Sequence, residues 1–141
     1  MAIGRSENMR RIRSKNTQPE LRVRAVLREL GFTGYRLHRR ELPGKPDIVF
    51  IRRKRAIFVH GCFWHGHDCL EGRRIPKSNA DYWVGKISRN KARDIEHIKS
   101  LQCAGWKVIA VWDCELKDDS ALRDRLVQFF LEIGDKLSDP R

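Results

Sequence analysis

No run of about 18 apolar residues occurs anywhere in the chain, so no transmembrane helix is expected. The first segment, "MAIGRSENMRRIRSKN", lacks the apolar centre of a secretory signal, so a cytoplasmic location is the expectation. Internal repeats and low-complexity tracts are missing as well. Cysteine is scarce, with four residues, and in a reducing compartment these read as thiols or metal ligands rather than disulfides. Acidic residues are outnumbered, 18 against 30 basic, which leaves a net charge of +12. An excess of that size on a small domain points to a polyanionic partner.

What is present suffices for one folded unit. The 141 residues are 40% hydrophobic, enough to bury a core without covalent staples. Residues 1–16 are polar and basic and read as an arm, ahead of a single domain over 17–141. "TQPE" has the form of a capping box, with Thr17 at the cap and Glu20 three residues on. Leu21, Val23, Ala25, Val26, Leu27 and Leu30 then carry a helix to Gly31. "YRLH", Tyr35–His38, alternates as a short strand. "DIVFI" and "AIFVH", separated by the basic turn "RRKR", read as a hairpin. A long amphipathic helix is expected from about Asn79 to Ala104, closed by Gly105. A buried strand over Lys107–Trp112 follows, then a last helix capped near Asp118 or Asp119 and stopped at Gly134. The order α, β, β, β, α, β, α implies an α/β fold with a mixed sheet flanked by helices.

The densest chemistry lies in "HGCFWHGHDC", residues 60–69, with three histidines and two cysteines in ten positions. Structural zinc takes four ligands, with thiolate and imidazole favoured. Cys62, His67 and Cys69 suit a tight loop around one ion. Cys114, directly beyond the strand ending at Trp112, is preferred as the fourth ligand over Cys103, which falls within the long helix. That leaves His60 and His65. Asp47, at the start of the hairpin's first strand, can face them or can simply cap its turn. On the long helix Trp83, Ile87, Asn90, Asp94, Ile98 and Leu101 share one face. A carboxylate on that stripe needs a partner, and a histidine would both satisfy and orient it, unless the stripe turns there to water.

"IRSKNTQPE", "PGKPDIVF", "VHGCFWHGHDC", "YWVGKISRNKARD" and "GWKVIAVWDCEL" together resemble the very short patch repair endonucleases. These bacterial enzymes nick DNA beside T:G mismatches. The resemblance covers nearly the whole chain, from about Asn8, with five motifs in order. It implies a restriction-endonuclease-like fold with structural zinc and catalytic magnesium. The metal-binding carboxylate falls on Asp47, with the backbone carbonyl of Val59 beside it. Zinc ligands fall on Cys62, His67, Cys69 and Cys114. Catalytic histidines fall on His60 and His65, with Asp94 partnering the latter. The rings that enter the base stack fall on Phe63, Trp64 and Trp83, a polar site residue on Asn90, and the helix-one glutamate on Glu20. This chain has Val59 where some members carry threonine, and Gly66 and Asp68 interrupt what is elsewhere a histidine-rich run. No E-x-K follows "PD"; "FVH" stands in its place.

The implied partner is double-stranded DNA with a T:G mismatch, cut in one strand by a monomer in the cytoplasm, at the bacterial nucleoid. Without the resemblance, Phe63, Trp64 and Trp83 would be read as core aromatics. Two other functions compete. One is a restriction or homing nuclease of the same fold. The other is a non-catalytic, zinc-stapled DNA-binding module, which would have no use for Asp47, His60, His65 and Asp94.

Overall fold

The computed structural model describes residues 17–69, 73 and 75–131; the arm read over residues 1–16 and the stop at Gly134 lie outside them. Helix α1 spans Gln18–Glu29, and the Thr17 hydroxyl accepts from the Glu20 N–H at 3.3 Å. This is one half of the expected capping box. The Glu20 carboxylate itself turns inward, at 1% exposure, and accepts from His38 and Arg24. Strand β1 is the short Arg36–Leu37, β2 is Ile48–Phe50 and β3 is Arg55–His60. Helix α2 runs Ala80–Cys103, β4 spans Lys107–Trp112, and a 3₁₀ turn at Asp113–Lys117 leads into α3, Asp119–Leu131. Asp118 caps α3 through Oδ1, which accepts from Ala121 N–H at 3.0 Å.

The four strands form one mixed sheet in the order β1-β2-β3-β4. The β2–β3 hairpin is antiparallel, as its basic turn implies, and β1 joins it antiparallel. Strand β4 runs parallel to β3, with His60 beside Trp112, because α2 carries the chain back across the sheet.

The period-2 alternation of side chains divides the core into two layers. Ile48, Phe50, Ile57, Ile109 and Val111 face α1 and α3, meeting Val26, Leu27, Leu126 and Phe130. Val49, Ala56 and Phe58 face α2 through Leu101 and Ile98. His60 continues the Ala56–Phe58 face and so emerges toward α2. No helix among the described residues is long and apolar enough to cross a membrane.

Candidate active site and metal centre

The carboxyl ends of the parallel pair β3 and β4 open beside the start of β2. One cavity of about 470 Å³ is lined there by Asp47, Val59, His60, His65, Asp94 and Asp113, with Trp64 at its side. Register explains the meeting. Strand β2 pairs antiparallel with β3, so its first residues lie beside the last residues of β3. The Val59 N–H donates to Asp47 Oδ2 at 2.7 Å. Extending the ladder from Ile48↔Ile57 sets Pro46 opposite Val59. Proline has no N–H to give, so the ladder cannot satisfy the Val59 carbonyl on the Asp47 side.

Asp47 is held in a poor place for a bare negative charge. Burial, with Glu20 nearby, pushes its carboxyl up to about 6, against the opposing pull of the Val59 N–H. A carboxylate oxygen of Asp47, one of Glu20 and a ring nitrogen of His38 lie within 4.8 Å of one another. A bound cation would favour the ionised form there, which is the donor chemistry of a hard divalent ion.

Across the cavity His65 Nδ1 meets Asp94 Oδ2 at 2.5 Å. The helical face expected over Trp83–Leu101 therefore turns Asp94 to a histidine rather than to water. In the neutral tautomer that donates Nδ1–H to Asp94, Nε2 is the acceptor. His60 stacks on His65 with centroids 3.9 Å apart and planes 6° apart. It is 5% exposed, and its Nδ1 has no hydrogen-bond partner among the described residues. Burial first, then the neighbouring His65, lowers its pKa to about 4, so His60 is a neutral ring at pH 7.

These two shifts pull stability in opposite directions over one pH window. Raised Asp47 loses stability as pH rises from about 4 to 6, because the unfolded chain ionises first. Lowered His60 gains stability from about 4 to 6.5, because only the unfolded chain takes up a proton there. In Asp47→Asn the opposing group is gone, so melting temperature should climb between those pH values more steeply than in the wild type. Parallel melting curves for the two proteins would count against these shifts.

Cys62, His67, Cys69 and Cys114 converge, with one ligand atom from each inside 4.8 Å. Cys114 Sγ lies 3.5 Å from His67 Nδ1. The loop is wound tightly enough to bring three of the four together: His67 N–H bonds Cys62 O and Cys69 N–H bonds His67 O, both at 2.9 Å. Burial pushes the Cys62 thiol up to about 12 and raises Cys114 too. Such a set holds its protons unless a cation offsets the charge, and its composition is that of a closed zinc site. Gly66, at φ 61°, lets the loop pack on α2, since a Cβ there would fall 2.7 Å from Ile87 Cγ2 and 2.6 Å from Lys91 Cδ. Cys103 is exposed, apart from the cluster.

The histidine–aspartate and cysteine clusters are physically joined. His67 stacks on Trp112 at 4.2 Å, and Trp112 meets His60 edge-on at 5.0 Å. The rings of Phe63, Trp64 and Trp83 form a cluster, with centroids 5.2 to 5.6 Å apart. Trp83 is 8% exposed, while the loop rings Phe63 and Trp64 are half-buried. Asn90 Nδ2 donates to the Trp64 carbonyl at 2.9 Å, so its side chain braces the loop that carries these rings.

Two residues of the site escaped the sequence reading. His38 ends the segment "YRLH", and its N–H donates to Asp47 O at 3.0 Å; the pairing of β1 with β2 was the signal that places it. Asp113 follows β4 and accepts from Cys62 N–H, with burial raising its pKa. The parallel register His60↔Trp112 puts it beside Gly61, a step that needs the sheet order.

A half-buried carboxylate facing a histidine–aspartate pair across an open cavity, on a chain of charge +12, is an arrangement suited to hydrolysis of a polyanion's phosphodiester, the chemistry of a nuclease. Comparison with known proteins narrows the class. The family model described as DNA mismatch endonuclease Vsr matches residues 2–71. The type II nicking enzyme V.XorIIP of Xanthomonas oryzae pv. oryzae is 53% identical, over 84% of this chain and 85% of its own. V.NmeAIP of Neisseria meningitidis, also a type II nicking enzyme, is 48% identical over 93% and 92%. The DNA mismatch endonuclease Vsr of Escherichia coli K12 is 38% identical over 92% and 85%. The chain belongs to the DNA mismatch endonuclease Vsr family and is an endonuclease of DNA repair.

Proposed function

We propose that this endonuclease nicks one strand of duplex DNA beside a T:G mismatch, by Mg²⁺-dependent hydrolysis with aromatic side chains inserted at the mismatch. The observation that carries this reading is the His65–Asp94 pair, 2.5 Å apart, facing Asp47 across one cavity with Trp64 at its side. A divalent ion held by Asp47 and the Val59 carbonyl would neutralise the phosphate and the charge that develops on it. His65, oriented by Asp94, accepts the proton of the attacking water at Nε2. His60, neutral and buried, fixes the plane of His65 by stacking and offers the site no positive charge. Glu20, close to Asp47, adds a second negative charge that a bound cation would offset. Zinc on Cys62, His67, Cys69 and Cys114 is structural, since four protein ligands leave no open position.

Phe63 and Trp64 lie between the catalytic His60 and His65 on one loop, with Trp83 packed behind them. Unstacking a base step costs on the order of a few kcal/mol, and less at a mismatch, so rigid rings there select weakly stacked sites. The domain carrying this site has a restriction-endonuclease-like core and acts as a monomer in the cytoplasm, on nucleoid DNA. Residues 1–16 serve as a basic arm that grips the duplex.

Two variants test the reading on T:G and matched duplexes. His65→Ala should slow single-turnover nicking by roughly 10²–10⁴. A normal rate in that variant would move the general base elsewhere. Trp64→Ala should lose the preference for T:G while keeping its zinc. A fluorescent base analogue beside the mismatch should brighten with the wild type and stay quenched with the variant. If Trp64→Ala instead unfolds the protein, the ring belongs to the core and the insertion step is lost from the account.

A further inference from the structure

We propose that His38 supplies a nitrogen ligand to the Asp47 ion site, so that this chain's catalytic site binds a first-row transition ion, Mn²⁺ or Co²⁺, in preference to Mg²⁺. The inference rests on the proposed role of Asp47 as an ion ligand and adds His38 and Glu20 to it.

The geometry begins with the strand pairing. β1 lies antiparallel to β2, Leu37 beside Ile48, so the next pair outward is His38 beside Asp47. The His38 N–H locks that pair by donating to Asp47 O at 3.0 Å. His38 holds a left-handed backbone, φ 50°, a conformation that disfavours most side chains. From there its ring reaches Glu20, with Nε2 2.8 Å from Oε2. Glu20 comes from the first turn of α1, and Asp47 from the start of β2. Three chain segments therefore deliver one imidazole and two carboxylates to one place, with ligand atoms all within 4.8 Å.

An octahedral ion sets the distances the three ligands must reach. With bonds of about 2.1 Å, neighbouring ligand atoms lie about 3.0 Å apart and opposite ones about 4.2 Å. The His38–Glu20 contact of 2.8 Å already has the length of a neighbouring edge. A proton now fills that edge. An ion at Nε2 requires that nitrogen free of its proton: a neutral ring moves its one proton to Nδ1, an imidazolium releases the Nε2 proton to solvent, and in both cases the Nε2 lone pair faces the ion. Glu20 and His38 are both largely shielded from water, so the ligands are held in place before the ion arrives.

Donor chemistry then sets the preference. Carboxylate, carbonyl and water suit Mg²⁺, which is reluctant to lose its waters. Imidazole favours the later first-row ions, in the order Mn²⁺ below Co²⁺ below Ni²⁺. A site of two carboxylates alone would select weakly among these ions, and the third ligand tilts it. The cysteine cluster does not compete, because its thiolates retain zinc.

The test uses full-length, zinc-loaded protein and Mn²⁺ as the probe, with free Mn²⁺ followed by electron paramagnetic resonance. One Mn²⁺ should bind per chain, and Mg²⁺ should displace it poorly. His38→Gln keeps a hydrogen-bond donor for Glu20 but offers a metal no imidazole. It should weaken Mn²⁺ binding by about 10- to 100-fold and leave Mg²⁺ affinity nearly unchanged, so the preference for Mn²⁺ collapses. If His38→Gln binds Mn²⁺ as the wild type does, or loses both ions equally, His38 only orients Glu20 and the proposal is overturned. Pulsed resonance on the wild type gives a second reading that needs no variant: a directly bound nitrogen on Mn²⁺ supports the proposal, and an all-oxygen shell overturns it. The reading of Asp47 fails separately, when Asp47→Asn binds either ion as well as the wild type does.

Discussion

Asp47→Asn is expected to abolish nicking while the protein still folds, keeps its zinc and binds DNA. Asparagine retains an oxygen for the Val59 N–H, which Asp47 now accepts at 2.7 Å, so the β2–β3 junction should survive. What goes is the charge. An amide is a poor ligand for a hard cation, and the remaining groups cannot neutralise a phosphate unaided. DNA affinity should hold or rise slightly, because one negative charge leaves the neighbourhood of the backbone phosphates. Asp47→Ala would also stop nicking but would strand the Val59 N–H, a loss of about 1–3 kcal/mol. Comparing the two separates chemistry from stability. Residual nicking by Asp47→Asn above a few per cent of wild type would remove Asp47 from its proposed role.

The second large effect concerns Cys114→Ser. Three members of the cysteine–histidine cluster lie within eight residues of one loop, and the fourth comes from the 3₁₀ turn after β4. That turn is firmly seated: Glu115 accepts from Trp112 N–H at 2.8 Å and from Arg125 of α3. An ion across the cluster would therefore tie the loop carrying His65 to the sheet and to α3. Structural zinc is worth about 10–16 kcal/mol in small zinc-binding peptides, and whole domains have only about 5–15 kcal/mol of net stability. Losing even part of it should disorder the loop after β3 that holds Phe63, Trp64 and His65. Cys114→Ser should come out of purification with less than one zinc per chain, a much lower melting temperature and no nicking. Cys103→Ser, on the exposed end of α2, is the control and should match the wild type. Zinc-free wild-type protein that melts and cuts normally would contradict this role.

How far the sequence alone reached depended on whether a signal was local. The helix from Asn79 to Gly105, the hairpin and the strand Lys107–Trp112 were legible because periodicity and turn residues act over a few positions. Asp94 was legible for the same reason: its place on an apolar stripe demanded a partner, and His65 is that partner. Cys114 could be preferred over Cys103 because a strand end projects a side chain beyond the sheet. Glu20 misled in part, since three-residue spacing from Thr17 suggests a capping role while tertiary packing draws its carboxylate to His38. His38 and Asp113 were missed because their places follow from β1–β2 and β3–β4 pairing, and strand order is a long-range property. Asn90 was legible only as a polar residue of the site; that its side chain holds the Trp64 carbonyl, a contact spanning 26 residues of sequence, was not.

Strand-resolved cleavage of two duplexes that differ only at one base pair, T:G against T:A, is the most direct test of the account. With zinc-loaded protein and Mg²⁺, a single nick in one strand beside the mismatch of the T:G duplex is expected, with the T:A duplex intact over the same time and both intact when divalent ions are chelated. Equal cutting of both duplexes, or cutting of both strands, would contradict the account and favour an ordinary site-specific nuclease.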